Sequence, residues 1–160
     1  LGFNNREIVI FKNEFGKPCL KGYPSFHFNI SHTKNALLVA ISDKSVGIDI
    51  EKVQKAEIKI AERFFTGVEF EYVKINKQDK SFYEVWTKKE AYIKYLGRGL
   101  SIPLNSFCVF GNELKSKIFT TYLHQYIISV CCDNGVTSVD ITELHMSDLI
   151  NMATELVRKN

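Results

Sequence analysis

The chain has 160 residues, 45% of them hydrophobic and 24% charged, and a formal net charge of +3. That supports one real core, and the charge is too mild to mark a nucleic-acid binder, although a local basic cluster can still attract phosphate. No apolar run approaches the roughly 18 residues of a membrane span, and no signal peptide opens the chain.

In chain order, Glu7 to Phe11 reads as a strand and Glu14 to Pro18 as a turn punctuated by Gly16 and Pro18. Phe26–Ile30 and Ala36–Ser42 read as strands flanking a Ser31-His32-Thr33-Lys34-Asn35 turn, and Ser45–Glu51 as a third strand. Ile58–Phe65 is expected as a short helix. Thr66-Gly67-Val68-Glu69 fits a capping box that starts a helix ending near Ile75. The longest helix spans Lys80 to Leu96, with Phe82, Val85, Tyr92, Ile93 and Leu96 as its apolar stripe and Gly97 as its stop. Four strand-like runs follow at Ser106–Phe110, Lys117–Leu123, Tyr126–Cys132 and Val136–Ile141, with Asp133-Asn134-Gly135 as a hairpin turn. Ser147 is expected to cap a last helix over Asp148–Lys159. Strands, then helices, then strands indicate an α+β fold with an antiparallel sheet. Leu1 stands where methionine would open a complete chain, so an upstream segment is expected.

Cys19, Cys108, Cys131 and Cys132 form no Cys-x-x-Cys pair. Thiols in a reducing cytoplasm are expected rather than a zinc site or a disulfide framework.

Two acidic segments stand out. In Val46-Gly47-Ile48-Asp49-Ile50-Glu51 the apolar residues alternate with the rest, so on a strand Asp49 and Glu51 share one face. In Trp86-Thr87-Lys88-Lys89-Glu90-Ala91-Tyr92-Ile93-Lys94, Glu90 and Lys94 are four apart and share a helix face. Three carboxylates and a lysine can surround one hard cation and one phosphate, and such oxygen ligands suit magnesium. Plainer readings stand beside this one: a solvated Asp-x-Glu, an exposed helical ion pair, and a Glu69 that only caps its helix.

Together these stretches resemble the 4′-phosphopantetheinyl transferases, specifically the larger type that activates peptide and polyketide synthetases such as surfactin synthetase. The matching residues are Phe15-Gly16-Lys17-Pro18, Phe28-Asn29-Ile30-Ser31-His32, Gly47-Ile48-Asp49-Ile50-Glu51, Arg63-Phe64-Phe65 with Glu69, Trp86 with Lys89-Glu90-Ala91, Ile93-Lys94, and Gly97 with Gly99-Leu100. The resemblance implies two pseudo-symmetric halves, the first incomplete here: 1–45 as its remainder and 46–160 as the half carrying the metal site. It implies transfer of the phosphopantetheine arm of coenzyme A to a serine of an apo acyl or peptidyl carrier protein, with release of 3′,5′-ADP and no nucleic-acid or membrane partner. Asp49, Glu51 and Glu90 would hold magnesium, and Lys94 would neutralise or protonate the leaving phosphate. Glu69 or Glu90 would take the serine proton. Ser31 and His32 would contact the coenzyme's phosphates, with Lys17 near its phosphoadenosine end. The alternatives are a non-catalytic carrier- or coenzyme-binding module, or a small-type holo-acyl-carrier-protein synthase working as an oligomer.

Overall fold

A computed structural model describes residues 8–111, 114 and 116–158. The described elements are β1 (Ile10–Lys12), β2 (Pro18–Leu20), β3 (His27–Thr33), β4 (Ala36–Ser42), β5 (Val46–Lys52), α1 (Ile58–Phe64), α2 (Gly67–Ile75), α3 (Gln78–Leu96), β6 (Ser116–Leu123), β7 (Tyr126–Asp133) and α4 (Met146–Arg158). Strands pair antiparallel as two hairpins, β1-β2 and β3-β4, and one three-stranded sheet in the order β5-β7-β6. The α+β expectation holds. The first expected strand starts at Glu7, outside the described residues; its described part pairs from Ile10.

Alternation along β5 sorts its side chains onto two faces. Val46, Ile48 and Ile50 join Ile128 and Val130 of β7 in one buried cluster, with Ala36, Leu38 and Ala40 of β4 packed against it. The opposite face, carrying Gly47, Asp49 and Glu51, lies under α3. A second core forms where α1, α2 and α3 meet: Ala61, Phe65, Val73, Phe82 and Val85 are buried together with Val109.

Gly47 is where α3 touches the sheet. A Cβ on it would fall on the Ala91 carbonyl oxygen and the Tyr95 amide nitrogen, and 2.8 Å from the Lys94 carbonyl carbon. Only a residue without a side chain lets helix backbone approach strand backbone this closely. The helix then ends on Gly97, whose φ of 66° is the left-handed stop, its N–H bonding the Ile93 carbonyl.

Four expectations are corrected, each for a backbone hydrogen-bonding reason. The Ser31–Asn35 turn shrinks to Lys34-Asn35, because pairing continues to Thr33 opposite Ala36 and Asn35 supplies the positive φ of 66° that a tight hairpin needs. Ser31 and His32 are therefore strand residues. Ser106–Phe110 is not a strand: Lys89 Nζ takes the Leu104 and Phe107 carbonyls, each at 2.7 Å, and Glu69 Oε1 takes the Val109 N–H at 2.8 Å. Those side chains occupy groups that a ladder would use. Val136–Ile141 is not a strand either. The Asp133 turn closes, with Val136 N–H on the Asp133 carbonyl at 3.0 Å, but β7 is already paired on both sides, so the chain leaving it cannot fold back onto it as a hairpin. At the last helix, the His145 N–H bonds Asp148 Oδ2 at 3.1 Å and the helix starts at Met146, so Ser147 lies inside the first turn rather than capping it.

Gly47→Ala should destabilise the chain by about 3 kcal/mol or more, above the usual range for overpacking because helix backbone rather than a side chain must move. Urea unfolding followed by circular dichroism measures this. A variant within about 0.5 kcal/mol of the parent, the scale of an ordinary surface change, would contradict the contact.

Candidate active site

The Gly47 contact fixes what lies above β5. Two residues of strand advance about 6.6 Å and four residues of helix about 6 Å, so the i, i+2 series of β5 and the i, i+4 series of α3 keep step. Gly47 lies under Ala91 to Tyr95. One step on, Lys94 Nζ meets Asp49 Oδ1 at 2.6 Å. Glu90, one helical turn earlier, feels the charges of both Asp49 and Glu51.

Asp49 is the centre. It is 4% exposed. Its Oδ1 accepts from Lys94 Nζ and from Ser31 Oγ at 2.8 Å, and Ser31 Oγ in turn accepts from Lys94 at 3.0 Å. Its Oδ2 is buried and has no hydrogen-bond partner among the described residues. Glu51 is half-buried and accepts from Thr33 Oγ1 at 3.3 Å. Burial pushes the Glu51 carboxyl above the usual carboxylate range, Asp49 adds to the push, and Thr33 and Lys94 oppose it. Burial likewise raises Glu90, again with Asp49 and Glu51 adding and Lys94 opposing. Three carboxylates therefore share one ammonium and are held at an electrostatic cost. As the side chains stand, no three His, Cys, Asp or Glu among the described residues converge into a ready metal cage.

β3 supplies the wall. It packs beside β5 without a backbone ladder between them. Instead every second residue reaches across: Asn29 Oδ1 accepts the Ile48 N–H at 2.9 Å, Ser31 donates to Asp49, and Thr33 donates to Glu51. Asn29 and Thr33 were not singled out in the sequence, although their alternation with Ser31 on a strand is a readable polar face. His32 points to the exposed side of β3, close enough for its charge to act on Glu51.

Lys17 and Glu69 lie elsewhere. Lys17 Nζ donates to the Val46 carbonyl at 3.0 Å and the Tyr95 carbonyl at 3.2 Å, clipping the start of β5 to the end of α3, and burial pushes its ammonium below the usual lysine range. It lines a cleft of about 230 Å³ together with Phe15, Asn29, Lys94, Gly97 and Gly99. A larger hollow of about 490 Å³, walled by β4, β7, one face of β5 and residues of the 136–142 segment, contains none of the cluster's residues. Glu69 is fully buried. It completes the capping box with Thr66, accepts the Val109 N–H, and pairs with Lys89 at 2.8 Å, both side chains having no exposed surface. Both of its oxygens are engaged, and the structure does not bring it to Asp49.

The family model described as the 4′-phosphopantetheinyl transferase superfamily matches residues 45–142. The 4′-phosphopantetheinyl transferase gsp of Aneurinibacillus migulanus is 39% identical over 168 residues, covering 95% of this chain and 70% of that protein. The 4′-phosphopantetheinyl transferase Sfp of Bacillus subtilis is 42% identical over 160 residues, covering 90% and 71%. Among solved structures, holo-[acyl-carrier-protein] synthase of Thermotoga maritima superposes at a TM-score of 0.49 and 20% identity, over 67% of this chain and 73% of that one.

Two measurements test the geometry. In Asp49→Asn, the raised carboxyls of Glu51 and Glu90 should both move part of the way back toward the ordinary range, because the Asp49 charge is the second contribution to each after burial. A carbon-13 carboxyl titration reads this directly, and unchanged midpoints would mean the three groups are not coupled. Glu69→Ala should unfold the chain more easily by about 3–5 kcal/mol, since it leaves a buried, uncompensated Lys89. A loss under about 1 kcal/mol, the scale of an exposed pair, would contradict the structural role.

Proposed function

The chain belongs to the 4′-phosphopantetheinyl transferase superfamily, and from that premise we propose that it moves the phosphopantetheine arm of coenzyme A onto a serine of an apo acyl or peptidyl carrier protein, with magnesium, releasing 3′,5′-ADP. The observation that carries this reading is the buried Asp49 carboxylate with one oxygen on Lys94 and the other unpaired, beside two carboxyls that their surroundings hold above the ordinary range.

The donor set fits a hard divalent ion. An orphaned buried carboxylate oxygen costs about 1–3 kcal/mol or more, and crowded carboxylates favour a cation that relieves their repulsion. Asp49, Glu51 and Glu90 would hold it. When bound, it would neutralise charge on the coenzyme's pyrophosphate. The rest of the work falls to this chain's own side chains and backbone. Transfer of a phosphoryl group asks mainly for positioning and for charge placed on the phosphate oxygens. Lys94 reaches from α3 into the cleft and brings a full positive charge to the transferred phosphate. The carrier serine supplies the nucleophile. Its oxygen bonds to phosphorus as the pyrophosphate bridge breaks, and its proton goes to Glu90, directly or through water. Glu90 suits this better than Glu69 because it lies in the cluster with Asp49 and Glu51, whereas both oxygens of Glu69 are taken.

Ser31 and Lys17 already bond protein groups, so in this reading contact with the coenzyme's phosphates falls first to Lys94 and His32, while Lys17 fixes the cleft wall. Residues 1–45 are read as the remainder of one half and 46–160 as the half that carries the metal site. We place the reaction in the cytoplasm, where the four free thiols would persist; among the described residues no helix is long and apolar enough to cross a membrane.

Intact mass spectrometry of apo carrier proteins, incubated with this protein, coenzyme A and magnesium, should show a gain of one phosphopantetheine arm that chelator abolishes. No gain on any acyl or peptidyl carrier from folded protein would contradict the reading. Asp49→Ala should abolish transfer, and Lys94→Ala should lower it by about 10²–10³-fold, the scale of removing one preorganised charge contact. Unimpaired turnover in either variant would remove that residue from the mechanism.

A further inference from the structure

Among the lysines of α3 that form ion pairs, Lys89 and Lys94 differ in one respect that matters. Lys89 has no exposed surface and spends its donors on Glu69, the Leu104 carbonyl and the Phe107 carbonyl. It has no route out and no unmet partner. Lys94 is 28% exposed at its side chain against 6% for Asp49. It reaches Asp49 from the wall of an open cleft and, among the described residues, donates only to Asp49 Oδ1 and Ser31 Oγ. Its ammonium is a point charge on a flexible stem. It neutralises Asp49 yet leaves Asp49 Oδ2 buried and unpaired. Among the described residues it is also the single ammonium whose charge favours the ionised forms of both Glu51 and Glu90.

We propose that Lys94 is a displaceable stand-in for the divalent cation: in the free protein its ammonium occupies Asp49 and holds the carboxylate in register with Ser31, and it must leave Asp49 Oδ1 for the three carboxylates to close on an ion. The inference rests on the metal reading above and goes beyond it. Lys94 does not only meet phosphate. It also sets the cost of loading the ion, and a phosphate in the cleft, by attracting Lys94, lowers that cost. By linkage the ion must favour phosphate binding to the same degree. The open cleft beside Lys94 gives the side chain somewhere to go, and the Ser31 hydroxyl can keep one hydrogen bond to Asp49 after the lysine has moved.

The test uses the intact chain and magnesium chloride alone, with ionic strength matched by sodium chloride. Calorimetry measures magnesium affinity in the parent and in Lys94→Met, with circular dichroism confirming the fold. In parallel, lysine acylation read by peptide mass spectrometry follows each amine with and without magnesium. Lys94→Met should bind magnesium about tenfold more tightly, the scale of one removed contact charge at a partly buried site. In the parent, magnesium should raise acylation at Lys94 severalfold and leave Lys88, paired with Glu84, unchanged. Magnesium binding equally to both proteins, or binding without any rise at Lys94, would overturn the stand-in role and leave the metal reading intact. No binding heat in either protein would overturn both.

Discussion

Everything in the site depends on backbone meeting backbone at Gly47. Because that position carries no side chain, α3 settles directly onto β5, and the strand's Asp49 and Glu51 are brought under the helix's Glu90 and Lys94. The contact is held from both ends. Lys17 and Ser45 bond the Tyr95 carbonyl, Tyr95 bonds Asp133 of β7, and Thr87 meets Ser129 of β7. The register between strand and helix is thus a property of the core rather than of the charged groups, and like charges can be held together without choosing their own spacing.

The ion pairs of Glu69 with Lys89 and of Asp49 with Lys94 show how one physical rule separates structure from chemistry. Burying charge is tolerated when every donor and acceptor is met. Around Glu69 and Lys89 the accounts close: a capping box, two carbonyls and an amide absorb all that the pair offers, and the 104–109 segment is tied down as a result. Around Asp49 they do not close. One oxygen is left over, and two neighbouring carboxyls resist ionisation. A core gains nothing from such an arrangement, whereas a site that must receive a cation and a phosphate requires it.

Much of this was legible in the sequence because it rested on period. The alternation of Val46 to Glu51 placed both carboxylates on one face, the four-residue interval placed Glu90 with Lys94, and Thr66 with Glu69 gave the capping box. What could not be read depended on partners distant in sequence. Ser106–Phe110 has strand-like residues, but its backbone groups are claimed by Lys89 and Glu69. Val136–Ile141 has the right turn before it, but the strand it would fold back onto is already paired on both sides. Ser31 and His32 looked like turn residues because the hairpin's true reversal, at Asn35, lies five residues beyond Ile30, where the apolar run ends. Glu69 carried two sequence readings, and its burial behind Lys89 favours the structural one.

The central claim is that the carboxylates of β5 and α3 form one cation site under Lys94. Paramagnetic broadening of backbone amide resonances during a manganese titration tests it most directly, since broadening falls steeply with distance from the ion. The account predicts that resonances of Asp49, Glu51, Glu90 and their immediate neighbours broaden first and together, and that Asp49→Asn abolishes the effect. Broadening centred elsewhere, for instance at the exposed pair of His124 and Glu143, with Asp49 to Glu51 still sharp, would contradict it.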